Sequence, residues 1–137
     1  MHFIKRLLFT AAFILPWSFS SAQGAWTIYN TGNSGIPDNT VRCLAIDPTG
    51  RKWAGTDIGL AVYDDVSWTV YNTSNSNIPS NEIRSIAFDM SGNAWVGTFD
   101  DGLAMFDGVN WTIYNTSNSG LPDNFIKCIS IDGAGTV

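Results

Sequence analysis

Trp68-Thr69-Val70-Tyr71-Asn72-Thr73 is written twice more in near-identical form, as Trp26-Thr27-Ile28-Tyr29-Asn30-Thr31 and Trp111-Thr112-Ile113-Tyr114-Asn115-Thr116, at spacings of 42 and 43 residues. A fixed period of this size marks an array of supersecondary units. Each copy runs on into an Asn-Ser-(Gly/Asn)-(Ile/Leu)-Pro loop and an alternating apolar run ending in Asp-x-x-Gly. The first two copies continue through Trp-x-Gly-Thr and Gly-Leu-Ala. The repeats therefore cover 26–67, 68–110 and a shorter 111–137.

Four short strands can be placed in each unit. In the second copy they are Trp68 to Asn72, Ile83 to Phe88, Ala94 to Thr98 and Leu103 to Phe106, rich in β-branched and aromatic residues and separated by turn signals. Asp47-Pro48-Thr49-Gly50 and Asp89-Met90-Ser91-Gly92 carry the Asp and Gly that open and close a type I turn. Gly35, Asn77 and Gly120 share one loop position, and a Gly/Asn alternation predicts positive φ there. In the alternating strand, small residues (Cys43 and Ala45; Ser85 and Ala87; Cys128 and Ser130) lie opposite large ones (Leu44 and Ile46; Ile86 and Phe88; Ile129 and Ile131). Neither face suits water, so each sheet is expected between two neighbours, small face against large. Four strands per unit of this length, sandwiched in this way, predict an all-β fold of β-propeller blades, each a four-stranded antiparallel sheet. The geometric alternative is a β-solenoid.

The string Trp-Thr-x-Tyr-Asn-Thr-x-Asn-Ser-Gly-(Ile/Leu)-Pro-Asp-Asn, with Ile-Ala-x-Asp-x-x-Gly-x-x-Trp-x-Gly-Thr and Gly-Leu-Ala-x-(Tyr/Phe)-Asp, resembles the two-component regulator propeller repeat across nearly all of the chain after residue 22. The resemblance implies a bacterial extracytoplasmic propeller. In the sensor members it implies one that detects glycan fragments and signals across the membrane. The pattern demands a Trp just beyond Val137, so about two and a half blades are present, and an N-terminal piece of a longer propeller is expected; a ring assembled from several copies is the alternative.

Residues 1–22 read as a secretory signal peptide: Lys5 and Arg6, an apolar stretch from Leu7 to Trp17, and the small residues Ser20-Ser21-Ala22 before Gln23. The stretch is short for a membrane span and contains Pro16. The expected location is periplasmic or secreted, with 23–137 as the partial propeller. Cleavage after Ala22 leaves five Lys and Arg against twelve Asp and Glu and removes His2, the sole histidine. Such an acidic chain lacks the clustered cations that nucleic acid or an anionic membrane requires, and it has no imidazole for catalysis or metal ligation. Cys43 and Cys128 sit two repeats apart at one strand position and are expected as unbridged, small buried residues.

Arg42, Arg84 and Lys127 recur at one position of the alternating strand. If that strand is innermost, they form a cationic ring suited to an acidic sugar or other anion. Otherwise their heads stay in water or pair with Asp38 or Asp123. Asp-x-x-Gly-x-x-Trp resembles the Asp-box of sialidase-type propellers, which has one residue fewer between Asp and Gly, and is expected to serve folding. The Asn/Ser loops recur in every copy and are expected to form turns. Ligand contacts are sought instead where copies differ, at Phe99 and Asp100 in the longer loop of the second repeat, with Phe99 as a sugar-stacking platform. The Asp100-Asp101 pair is expected to be solvated, serving neither glycoside cleavage nor calcium; neither an enzyme activity nor a metal or cofactor is expected. The function expected first is a ligand-binding sensor propeller feeding a two-component system. A secreted or surface-attached interaction and adhesion propeller comes second and a polysaccharide-active enzyme last.

Overall fold

The computed structural model describes residues 26–132 and 137, and the signal-peptide segment lies outside them. Two antiparallel four-stranded sheets follow one another along the chain. The first holds β1 (Val41–Ile46), β2 (Lys52–Thr56), β3 (Leu60–Tyr63) and β4 (Trp68–Tyr71). The second holds β5 (Ile83–Phe88), β6 (Ala94–Thr98), β7 (Leu103–Phe106) and β8 (Trp111–Tyr114). Within each sheet the strands lie side by side in chain order, a plain meander. These are two propeller blades.

The repeat in sequence and the blade in space are offset by one strand. The Trp-Thr-x-Tyr segment that opens a sequence repeat is the outer strand of the preceding blade, as β4 and β8 show. The first copy, 26–30, forms no strand, although Tyr29 packs on Tyr63 and Trp68 at 5.4 and 5.5 Å between ring centroids. At the other end, 124–132 forms no strand either, but Ile126 N–H donates to Thr98 O at 3.0 Å and docks that segment on the second blade.

Each turn between a blade's first two strands is organised by one carboxylate. Asp47 accepts from Thr49 N–H and Oγ1–H, Arg51 N–H and Nε–H, and the indole N–H of Trp53 at 3.1 Å. Asp89 does the same for Ser91, Asn93 and the Trp95 indole at 3.0 Å. Gly50 and Gly92 close these turns at φ 91° and 84°, where a side chain would be strained. The Asp-x-x-Gly-x-x-Trp motif is thus a turn lock tied to the core tryptophan. The Asn loops are equally self-contained: Asn75 Nδ2–H donates to Val70 O, Asn75 Oδ1 accepts from Asn72 N–H, and Asn81 Oδ1 accepts from Thr73 N–H, a pattern repeated in all three copies.

The expected positive φ at Gly35, Asn77 and Gly120 is not found. Gly35 is required for a different reason, since a Cβ there would run into the Trp68 side chain.

The blades pack small face on large, as the alternation predicts. The register places Cys43, Ala45, Trp53, Gly55, Leu60, Val62 and Tyr71 on one face of the first blade. Ile83, Ile86, Phe88, Val96, Phe106 and Trp111 of the second blade join that face in one core. Gly55 makes the approach possible: a Cβ there would lie 2.6 Å from Ile83 Cγ2. Trp53, 1% exposed, sits at the centre, edge-on to Phe88 at 5.3 Å. On the opposite face of the first blade Leu44 and Ile46 are 72% and 68% exposed. Cys43 is half-buried, whereas Cys128, expected inside, is exposed, since among the described residues no further sheet covers 124–132; the two are unbridged.

Candidate functional site

The recurring cations and the variable loop meet at one edge of the two blades. Val41 pairs with Thr56 and Ile83 with Thr98, so the start of each inner strand lies beside the loop between its second and third strands. Both loops are closed alike, Thr56 Oγ1 donating to Gly59 O and Thr98 Oγ1 to Gly102 O at 2.7 Å. Within this shared frame Asp57 and Phe99 occupy the same place, the residue after the threonine.

Arg42 makes a two-pronged pair with Asp57, Nε–H to Oδ1 at 2.9 Å and NH2 to Oδ2 at 2.6 Å. Arg84, from the second blade, reaches back to Asp57 Oδ1 at 3.4 Å and to Glu82 Oε2 at 2.8 Å. Its guanidinium also lies 4.7 Å from the Phe99 ring centroid, within cation–π range. The Arg42 hydrogen bonds, and then the charges of both arginines, hold the Asp57 carboxyl below its ordinary range. Both arginine charges are therefore met inside the protein, by Asp57 and Glu82 rather than by Asp38 or Asp123. Lys127 stands exposed at the equivalent position beyond the second blade.

At the next seam the chemistry changes. Phe99 and Phe125 meet edge to face at 5.3 Å, 43% and 45% exposed. Phe125 is the counterpart of Glu82, so the carboxylate pair Asp57/Glu82 of the first seam is replaced by two phenyl rings at the second. The longer loop puts Asp100 and Asp101 beside this pair, with Ser80 Oγ–H directed at Asp100 Oδ1 across 3.5 Å. Burial first, and then the neighbouring charge of Asp100, pushes the Asp101 carboxyl above its ordinary range.

Arg42, Arg84, Phe99 and Asp100 are thus gathered on one edge, with Lys127 on the same register. Phe125, Glu82 and the clamping role of Asp57 were missed in the sequence. The signal for Phe125 was present: Thr40, Glu82 and Phe125 are one position filled three ways, the kind of difference between copies that singled out Phe99. Among the described residues no group of acidic, histidine and cysteine side chains is arranged to hold a metal ion, and no helix is long and apolar enough to cross a membrane.

Residues 77–100 match the two component regulator propeller family model. The fold is similar to the extracellular domain of BT3049 from B. thetaiotaomicron, a protein assigned as a hybrid two component system, with 31% identity and a TM-score of 0.69 over 80% of this chain. It is also similar to PorZ, a surface component of the type-IX secretion system of Porphyromonas gingivalis, at 20% identity and a TM-score of 0.58 over 75% of the chain. The chain spans 15% and 16% of the length of those two proteins. No curated relative matches it in sequence.

Proposed function

From a chain built of two component regulator propeller blades, we propose an extracytoplasmic, sensor-type propeller segment that binds a ligand and feeds a two-component signalling system in the full-length protein. The similarity to the BT3049 extracellular domain carries this reading. Oligosaccharides are the ligand class, bound at the edge where Arg84, Phe99 and Asp100 come together. Exposed aromatic rings beside carboxylates supply the stacking surface and hydrogen-bonding groups that sugars use. The signal-peptide pattern of residues 1–22 supports a location in the periplasm or outside the cell. The site binds and does not cleave: Asp100 and Asp101 lie on one exposed loop, whereas glycosidic cleavage needs two carboxyls flanking the scissile bond.

Titration of the full chain with an oligosaccharide panel tests this. Saturable binding without release of shorter products is expected, together with a mature N-terminus at Gln23 in the exported fraction. Hydrolysis lost on Asp100→Asn and Asp101→Asn would overturn the non-enzymatic reading. Absence of binding to every sugar, with capture of a protein partner, would move the function to a secreted or surface-attached interaction propeller.

A further inference from the structure

We infer that the Phe99–Phe125 edge takes an uncharged oligosaccharide and discriminates against acidic ones, an inference that rests on the glycan reading above. Three observations carry it. Arg42 and Arg84, the cations that would attract an acidic sugar, are already committed to Asp57 and Glu82 through charge-assisted contacts of 2.6 and 2.8 Å. A carboxylate ligand at either guanidinium would compete with the protein carboxylate it already holds, so its charge gains less there than at a free cation. Second, Asp57 and Glu82 are already balanced by Arg42 and Arg84, and the longer loop that carries Phe99 adds Asp100 and Asp101 against the single exposed cation Lys127, so the unbalanced charge at this edge disfavours an anion. Third, the group that replaces the first seam's carboxylates is a pair of phenyl rings, which carry no hydrogen-bonding atoms and bind the C–H face of a sugar ring by contact alone. The Arg84 guanidinium against Phe99 fixes the orientation of that ring.

The inference is tested by calorimetric titration of the full chain with cellotetraose, xylotetraose and galactotetraose, and with tetragalacturonate as the acidic counterpart of the last. A neutral tetrasaccharide should bind with little dependence on salt, and tetragalacturonate should bind at least about tenfold more weakly than galactotetraose. Phe99→Ala should weaken neutral binding by about tenfold while Phe99→Trp retains it, which separates loss of the platform from loss of the fold. The double change of Asp100→Asn and Asp101→Asn should narrow the gap between neutral and acidic ligands. Tighter binding of tetragalacturonate, weakened by salt and by Arg84→Ala, would overturn the inference while leaving the glycan reading standing. Neutral binding indifferent to Phe99→Ala would also overturn it. If no oligosaccharide of either kind binds, the glycan reading itself fails and this inference falls with it.

Discussion

The two seams of the molecule use one backbone for opposite chemistry. At the first, Asp57 from one blade and Glu82 from the next would repel each other, and Arg84 lies between them while Arg42 clamps Asp57 from behind. At the second, Phe99 and Phe125 take those two positions and stack edge to face. Each loop is closed by a threonine hydroxyl donating to a glycine carbonyl at 2.7 Å, although the second loop is one residue longer, so this closure tolerates the change. A blade can thus vary its rim without altering its core, which is why a repeat can hold one fold while its ligand contacts diverge.

The core shows the same contrast between a covered and an uncovered blade, and here the largest effect is expected. Trp53 is enclosed by Tyr71, Phe88 and Phe106, whereas among the described residues Trp95 has one aromatic neighbour, Tyr114, stacked on it at 5.7 Å, and is partly exposed. Trp53→Ala should cost about 3–5 kcal/mol. Trp95→Ala should cost clearly less, because part of that ring is already in water. Urea denaturation followed by circular dichroism measures both, and equal losses would show that the second blade's outer face is covered in solution.

The turn carboxylates come next. Asp47→Ala leaves the buried Trp53 indole N–H without its acceptor and should cost about 1–3 kcal/mol. Asp89→Ala should cost less, since Trp95 can reach water. Burial works against the charge on both carboxylates, but hydrogen bonds from Thr49, Arg51 and Trp53, and from Trp95 and Asn93, outweigh it and hold both below the ordinary value. A folded-state pKa below the unfolded one means stability that is fully present above about pH 4 and is lost as the pH falls toward the lowered value. Acid titration should therefore destabilise the wild-type chain more than Asp47→Asn, and parallel curves would show that the lock does not depend on charge.

Most of the fold was legible in the sequence because a repeat supplies its own comparison. Spacing gave the unit, and the small/large alternation of Cys43-Leu44-Ala45-Ile46 against Ser85-Ile86-Ala87-Phe88 gave the packing. Where the sequence misled, the cause lay between units. The Gly35 position suggested a backbone requirement, but the constraint is a Trp68 side chain a strand away, which no local pattern reveals. The segment at Trp26 has the same sequence marks as β4 and β8 but, among the described residues, pairs with no strand. Of the candidate site, Phe99 was found because its loop differs from its counterpart, and Phe125 was overlooked because its difference falls in a loop of constant length. The sequence offers water, Asp38 or Asp123 to the recurring cations, whereas Asp57 meets Arg42 and Arg84 through strand pairing and blade contact.

The smallest effect should come from the seam itself, and it sharpens the comparison most. Asp57 and Arg42 are solvent-accessible, so the energy of their pair is screened and modest. Asp57→Asn keeps the shape and removes the charge that Arg42 and Arg84 share. The thermal midpoint should fall slightly at low ionic strength, and the difference from wild type should vanish at high salt, where exposed charges no longer feel one another. Phe99→Ala, at the same place on the next blade, should change the salt dependence of stability less, because Phe99 meets Arg84 as an uncharged ring and leaves the pairs of Arg42 and Arg84 with Asp57 and Glu82 in place. If the two variants respond to salt alike, the first seam is not held by its charges, and the arginines lie there for their packing alone.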